Sequence, residues 1–402
     1  MTQPAVLFLL DWQASSWSAR EEFFRQLSAK LRTLGITPLL TLPEGFPKEF
    51  RKRLEDAGAQ VTACSYHNRR LRYWAHIRNQ TRKYEVLLVQ VRFFNYFTLL
   101  LWMSRLSGIT RIIFTEANSG EWSDRGDWRG TLVRLRAALA CLPVTKFIAI
   151  SEFIKRRLAA VGVPENRISV VYNGIDTNRY TPDPVKREIL EREFSGDSGT
   201  LFVLYAASLL EWKRPELTLS ICAELTRRGV PIKLLMAGAG PMRASLEAMT
   251  DKLEIQDHVC WLGHHEELER LFQGADVFLH TAKGEAFGNV LAEAMACGIP
   301  VVVTRSGAAA EVIEEGATGL LIDPGPDEAK RAADAIESLW KNPKRRAEMG
   351  QAGIRRARLF TVEACVENTL AVYSEVTGGR IAALQENHVN PGNHVNPVKP
   401  IS

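Results

Sequence analysis

The feature that most narrows the fold of this chain is a regular alternation of short apolar runs with longer amphipathic ones. Apolar runs at residues 6–10, 38–42, 86–91, 111–114, 147–150 and 168–171 are separated by helical patterns at 21–34, 48–57, 94–106 and 152–161. A second series follows, with apolar runs at 202–207, 232–237, 259–262, 277–280, 301–304 and 319–322 and helical patterns at 215–227, 242–251 and 266–272. Strands that are apolar along their whole length, each joined to the next by a helix, predict parallel sheets covered on both faces. The expectation is an α/β protein of two Rossmann-like doubly wound domains facing a cleft. Ligands of such sheets bind beyond the carboxyl ends of the strands, so the strand-to-helix loops are where the site is sought.

A chain of 402 residues is long enough for two such cores. Residues 181–200 contain prolines and charges and few strand formers, which places the linker there. The expected organisation is a first domain over 1–182, a linker at 183–200 and a second domain over 201–358. A helix at 359–378 returns to the first domain, and the tail at 379–402, which repeats NHVNP, is disordered.

One loop carries the clearest chemistry. In GEAFGNVLAEAMACGIP, residues 284–300, good helix formers run from Val290 to Cys297. Asn289 reads as the N-cap, Gly298 as the C′ residue and Pro300 as the stop. The free N–H groups of the first turn make an anion site, and Gly288 lets a ligand approach the backbone. Glu285 and Glu293 would repel an anion, so their task is to accept hydrogen bonds from hydroxyls on either side of it. A phosphate between two hydroxylated rings describes a nucleotide sugar. The plainer alternative is that Glu293 only complements the helix dipole.

The six cysteines are scattered with no CxxC pair, which argues against a disulfide framework or a zinc site and fits a reducing cytosol. There is no HExxH and no Asp-x-Asp, so no metal is expected. The N-terminal apolar run lacks a basic region before it and reads as a buried strand, not a signal peptide. The run at 93–103 is too short to span a bilayer. Charge is uneven: residues 1–187 hold 29 Lys/Arg against 16 Asp/Glu, and the remainder 22 against 30. A basic first half, +13 against −8, suits an anionic acceptor or membrane surface, or is ordinary solvated surface. If the acceptor is membrane-borne, Arg69-Arg70, Arg72, Arg78, Arg82-Lys83 and Lys155-Arg156-Arg157 are the residues that would dock on anionic lipid.

Taken in order, these blocks resemble the retaining GT-B glycosyltransferases of family four, also called glycosyl transferases group 1. The segments that carry the likeness are KFIAISEFIKRRLAAVGVPENRISVVYNGIDTNRYTP (146–182), LLEWKRPELTLSICAEL (209–225), LLMAGAGPMRASLEAM (234–249) and GEAFGNVLAEAMACGIPVVVTRSGAAAEVI (284–313). The likeness is dense over 146–373 and thin before it. It implies a transfer of sugar from a UDP-, GDP- or ADP-sugar to a sugar or lipid-linked acceptor in cell-surface polysaccharide or lipopolysaccharide assembly, without metal or other cofactor. Glu293 would hold ribose hydroxyls and Glu285 those of the donor sugar. The N–H groups from Phe287 through Gly288 and Asn289 to Val290 would hold the diphosphate, with Lys213 beside it. Gly238 and Gly240 would shape the turn near the base, whose edge the chain at 263–265, including His264, would read.

Departures from the family pattern are also legible. Ala207-Ser208 stands where Gly-Arg is usual, so one cation is missing and Arg214 is the candidate to replace it. DWQASSWSAR replaces a Gly-Gly loop and offers Ser15, Ser16 and Ser18. Ala117 stands where a histidine is often found, leaving Glu116 and Asn118 as the nearest polar groups for sugar or acceptor. Two rival readings remain: an epimerase or phosphorylase of the same fold, and a non-catalytic nucleotide-sugar-binding subunit.

Overall fold

The computed structural model describes residues 2–12, 18–66, 70–94, 98–117, 138–265 and 267–386. Two parallel sheets form. The first contains β1 (Pro4–Leu10), β2 (Thr37–Leu42), β3 (Gln60–Ala63), β4 (Glu85–Arg92), β5 (Ile112–Glu116), β6 (Lys146–Ala149) and β7 (Ile168–Val170), in the order β3-β2-β1-β4-β5-β6-β7. The second contains β8 (Leu201–Ala206), β9 (Ile232–Ala237), β10 (Val259–Gly263), β11 (Val277–His280), β12 (Val301–Thr304) and β13 (Gly319–Ile322), in the order β10-β9-β8-β11-β12-β13. Both are doubly wound, as the alternation predicts. The order reverses between β1 and β4 and between β8 and β11, and each reversal opens a crevice where a ligand can sit.

The strands are buried for the reason their composition implies. Every residue of β2, β5, β6, β8, β11 and β12 is buried, so apolar side chains on both faces leave water at once. The strand β3 escapes the sequence reading because QVTA is half polar and lies at the sheet edge, with Gln60 and Ala63 exposed. The helix after it, Arg70–Lys83, buries only Tyr73 and Ile77, so it carries too thin an apolar stripe to be read.

Three other elements differ from expectation. Residues 183–200 are not a bare linker: helix Val185–Glu193 packs on helix Leu268–Gly274, and Arg187 ties it to Asp276 and to the Thr200 carbonyl. Helix Val362–Val376 does return to the first sheet, where Tyr373 donates to Gln90 and Lys146 pairs with Glu375 at 2.6 Å. The chain then forms one more helix, Arg380–Glu386, anchored by an Arg380–Glu85 ion pair at 2.6 Å, where the sequence suggested a structureless tail. The NHVNP repeats lie outside the described residues.

The two sheets share a wall. Phe287 of the second half packs between Tyr172 and Phe360, tilted against one and edge-on to the other, with ring centroids 5.9 and 5.3 Å away. Across the same boundary, the Glu311 carboxylate accepts from the N–H groups of Glu152 and Phe153 at 2.7 and 2.6 Å. A carboxylate of the second half therefore caps helix Glu152–Ala160 of the first, and Ser151 at its N-cap donates to the Ala286 carbonyl.

Candidate active site

The loop at 281–288 leaves β11 and enters helix Asn289–Ala296. The helix begins one residue earlier than the sequence suggests. Its N-cap is Gly288 at φ 84°, and Asn289 is its first residue, so the first turn has no side-chain cap. The Asn289 amide oxygen instead accepts from Asn173 at 3.2 Å. Gly298, at φ 80°, follows the C-cap as expected. The backbone of Glu285 is clamped from behind: a Cβ on Gly307 would sit 2.2 Å from the Glu285 carbonyl oxygen, and Ala308 donates to that oxygen at 2.9 Å. Only glycine fits there.

The structure brings Glu285 and Lys213 together. The Lys213 ammonium pairs with the Glu285 carboxylate, lies 4.1 Å from the centre of the Trp212 ring, and is held on the short turn Glu211–Lys213. His280, at the end of β11 and fully buried, meets the same carboxylate oxygen at 3.1 Å. Burial pushes the Glu285 carboxyl up, but His280 and then Lys213 outweigh it and hold the group at about 2. Glu285 is therefore an anion at neutral pH and an acceptor only, so Nε2 of His280 donates to it.

Glu293 sits in the opposite electrostatic setting. It is 8 % exposed, and burial raises its carboxyl to about 7, with Arg179 opposing and Glu269 adding to the rise. Arg179 is itself held by Glu269 at 2.8 Å. Two glutamates eight positions apart thus differ by several units in proton affinity, set by burial and neighbours alone.

The remaining sequence candidates divide. Phe287, Gly288 and Asn289 line an interdomain cavity of ≈ 250 Å³, together with Glu285, Arg20, Arg92, Phe93, Ala117, Asn173 and others. Val290 follows in the first turn, half-buried. Arg214 is committed elsewhere: its guanidinium makes a bidentate pair with buried Glu328 at 2.9 and 2.7 Å, and Thr304 donates to the same carboxylate. Ser208 and His264 are exposed. Gly238 and Gly240 are required by close approach, since a Cβ on either would lie 1.9 Å from the Ala207 carbonyl oxygen or 2.4 Å from that of Leu209. Their place is thus to seat the loop after β8 against the loop after β9. Glu116 is buried at the end of β5 near Cys141 and is not among the residues lining the cavity, which its neighbour Ala117 does line. Ser18 caps helix Ala19–Thr33 in a capping box with Glu21. Ser15, Ser16 and Asn118 lie outside the described residues.

Sequence reasoning passed over His280, Arg20, Arg92 and Asn173. His280 and Arg92 did carry a signal: each is a polar residue closing a strand that is mostly apolar, at the carboxyl edge where sites form. Among the described residues no group of three or more His, Cys, Asp or Glu is placed to hold a metal ion. No described helix is long and apolar enough to cross a membrane.

Residues 186–356 match the family described as glycosyl transferases group 1, and residues 21–179 match Glycosyltransferase Family 4. The chain belongs to the group 1 glycosyltransferases and has their GT-B fold. Among its relatives, the D-inositol 3-phosphate glycosyltransferase of Pseudarthrobacter chlorophenolicus is 34% identical over 49% of this chain and 47% of its own. The GDP-mannose-dependent alpha-(1-6)-phosphatidylinositol monomannoside mannosyltransferase of Mycolicibacterium smegmatis is 33% identical over 51% of this chain and 55% of its own. The chain spans about half the length of these curated relatives in the matched region. Solved structures match far more of it. A glycosyltransferase from Rickettsia africae superposes with TM-score 0.77 at 18% identity, covering 93% of this chain and 98% of that one. Anabaena HepE in complex with UDP-glucose superposes with TM-score 0.75 at 21% identity, covering 92% and 99%.

Proposed function

We propose that this protein moves a sugar from a nucleotide-diphosphate donor to a sugar or lipid-linked acceptor, with retention of anomeric configuration and without a metal. The observation that carries the reading is the ionised Glu285, buried and paired with Lys213 and His280, beside an uncapped helix N-terminus on an interdomain cavity. The Glu285 carboxylate accepts from donor-sugar hydroxyls. The first-turn N–H groups of the helix take the diphosphate, and Glu293, deeper in the helix, takes the ribose hydroxyls. In the transfer, the bond between the anomeric carbon and the diphosphate oxygen breaks, and its electron pair stays on that oxygen. The acceptor oxygen bonds to the anomeric carbon from the same face, and its proton passes to the departing diphosphate. The chain then has to stabilise the charge that builds on the leaving group, which fixed N–H dipoles and cations do.

Names among the relatives and neighbours support the donor class: one relative is GDP-mannose-dependent, and HepE was solved with UDP and with UDP-glucose. The structural neighbour WaaG, a glycosyltransferase involved in lipopolysaccharide biosynthesis, supports cell-surface polysaccharide or lipopolysaccharide as the setting. Incubation with UDP-, GDP- and ADP-sugars, with and without EDTA, tests the reading. Nucleoside diphosphate release that survives chelation is expected. Loss on chelation with rescue by magnesium or manganese would remove the metal-free mechanism, and no release from any donor would remove the transfer itself.

The acceptor reading has its own support. Leu71 is exposed on helix Arg70–Lys83, which carries Arg70, Arg72, Arg78, Arg82 and Lys83, and Leu99, Trp102 and Leu106 are exposed at and along helix Leu100–Leu106, which packs against it. Each basic residue near an anionic bilayer is worth about 1 kcal/mol, and apolar side chains beside them add insertion. The proposal is peripheral binding to an anionic membrane, on its cytoplasmic face. Co-sedimentation with anionic vesicles that falls steeply with added salt is the expected result; equal recovery with neutral vesicles refutes it.

A further inference from the structure

The second half of the molecule brings two candidate cations near its helix N-terminus, and carboxylates engage both. Lys213 is on Glu285, and Arg214 is on Glu328. The cations that line the cavity come from the first half: Arg20, in the first turn of helix Ala19–Thr33, and Arg92, the last residue of β4. Arg92 is only 7 % exposed. One of its terminal nitrogens donates to Asn173 at 2.9 Å, and its Nε has no partner. Arg20 makes no side-chain hydrogen bond among the described residues. Neither arginine pairs with a carboxylate among them.

Aromatic rings hold the two guanidiniums in place. Phe93 has one on either count, with Arg92 5.0 Å and Arg20 5.1 Å from its ring centre, and it does so from a left-handed backbone at φ 70°. Phe23 and Trp12 add contacts at 5.4 and 5.9 Å. A non-glycine residue in that backbone region is strained, and such strain is kept where the surroundings impose it. Burial first, and then its neighbour Arg20, lower the Arg92 guanidinium to about 10. Arg20, reached by solvent through the cavity, is lowered by desolvation as well, with Glu21 opposing. Ring faces attract a cation, but they do not neutralise it. Glu21 offsets Arg20 through space, but neither guanidinium has an ion-pair partner among the described residues, an arrangement that a bound anion completes.

The opposite wall supplies the rest of an anion site. The N–H groups of Phe287, Gly288, Asn289 and Val290 have no acceptor among the described residues. Asn173 bridges the walls: it accepts from Arg92 and donates to Asn289, the first residue of the helix. An anion seated on the helix N-terminus is therefore one asparagine away from Arg92.

We propose that Arg20 and Arg92 are ligands of the donor's diphosphate, supplied across the cleft by the domain opposite the one whose helix holds it. This rests on the glycosyl-transfer reading and adds the residues that neutralise its leaving group. The planar guanidinium fork matches two phosphate oxygens at once, which a lysine does not. Because one ligand then touches both halves, donor binding also fixes the two domains against each other.

The test is calorimetry of the whole chain with UDP, GDP and ADP, each against its nucleoside, for wild type, Arg92→Gln, Arg20→Gln and Arg92→Lys. The wild type binds one diphosphate better than its nucleoside. Either glutamine variant loses about tenfold or more of diphosphate affinity and keeps its nucleoside affinity, while Arg92→Lys keeps part of the gain. Unchanged diphosphate affinity in both glutamine variants overturns the proposal, and so does a loss confined to turnover at saturating donor, which places the arginines on the acceptor. If Arg92→Gln melts below the working temperature, Arg20→Gln, at an accessible position, carries the test. A wild type that binds none of the three diphosphates removes the transfer reading itself, a different failure from arginines that do not matter.

Discussion

The two walls of the cleft balance charge in opposite ways. On the wall built by β8 to β13, each cation at the site has a carboxylate: Lys213 has Glu285, and Arg214 has Glu328. On the wall built by β1 to β7, Arg20 and Arg92 rest on aromatic rings and an asparagine. One wall is complete without a ligand, and the other is not. The difference teaches where recognition and charge neutralisation are divided. The self-balanced wall can hold hydroxyls and a base without reorganising, whereas the unbalanced wall responds only to an anion. A contrast of the same kind recurs inside the wall built by β8 to β13, between Glu285 at about 2 and Glu293 at about 7.

The sharpest way to break the comparison is to neutralise Glu285. Glu285→Gln should lower turnover by about 10²–10³, the effect of losing one preorganised electrostatic group, and leave the affinity for free nucleoside diphosphate unchanged. Glu293→Ala should do the reverse, weakening nucleotide binding by roughly 1.5–3 kcal/mol with turnover at saturation preserved. Steady-state kinetics and calorimetry on both variants decide it, and identical behaviour would show that the two carboxylates do not have separate roles.

The next effect is on stability. Glu293 binds its proton more tightly in the folded protein, at about 7, than in the unfolded chain near 4.5. Folded stability therefore falls as pH rises from about 4.5 to 7, and the full penalty applies above 7. Glu293→Gln removes it, so the variant should exceed wild type by on the order of 2–3 kcal/mol at pH 8 and match it at pH 4. For Glu285 the sign is opposite: its contribution is present above about 4.5 and is lost as pH falls toward 2. Chemical denaturation across pH reads both. A flat difference for Glu293→Gln would show that its carboxyl is not desolvated in solution.

The smallest expected effect concerns the seam between the walls. Glu311→Ala removes the acceptor for two helix N–H groups across the domain boundary. Capping losses of this kind amount to about 0.5–2 kcal/mol, so the melting temperature should drop by a few degrees. No change would mean that water replaces the carboxylate fully and that the seam is held by Phe287, Tyr172 and Phe360 alone.

The sequence by itself determined the two sheets and the loop that bears Glu285. A strand buried on both faces must be mostly apolar, and residues 202–207 and 277–280 read as such strands once helical patterns flank them. The order of motifs set Lys213 and Glu285 on loops that follow β8 and β11, neighbours in one sheet, and such loops share one edge. Elements with thin apolar faces, β3 and helices Arg70–Lys83 and Arg380–Glu386, left little trace, since their stability comes from packing and not from their own pattern. What only the tertiary structure decided is which charges meet. Arg214 and Glu328 are 114 positions apart, Arg92 and Asn173 81 apart, and Lys213 and Glu285 72 apart. No local pattern encodes such pairs, because Coulomb energy depends on distance in space and on desolvation, and folding fixes both. That is why Arg214, the sequence candidate for phosphate, lies bound to a carboxylate, and Arg20 and Arg92, which the motif reading passed over, face the cavity.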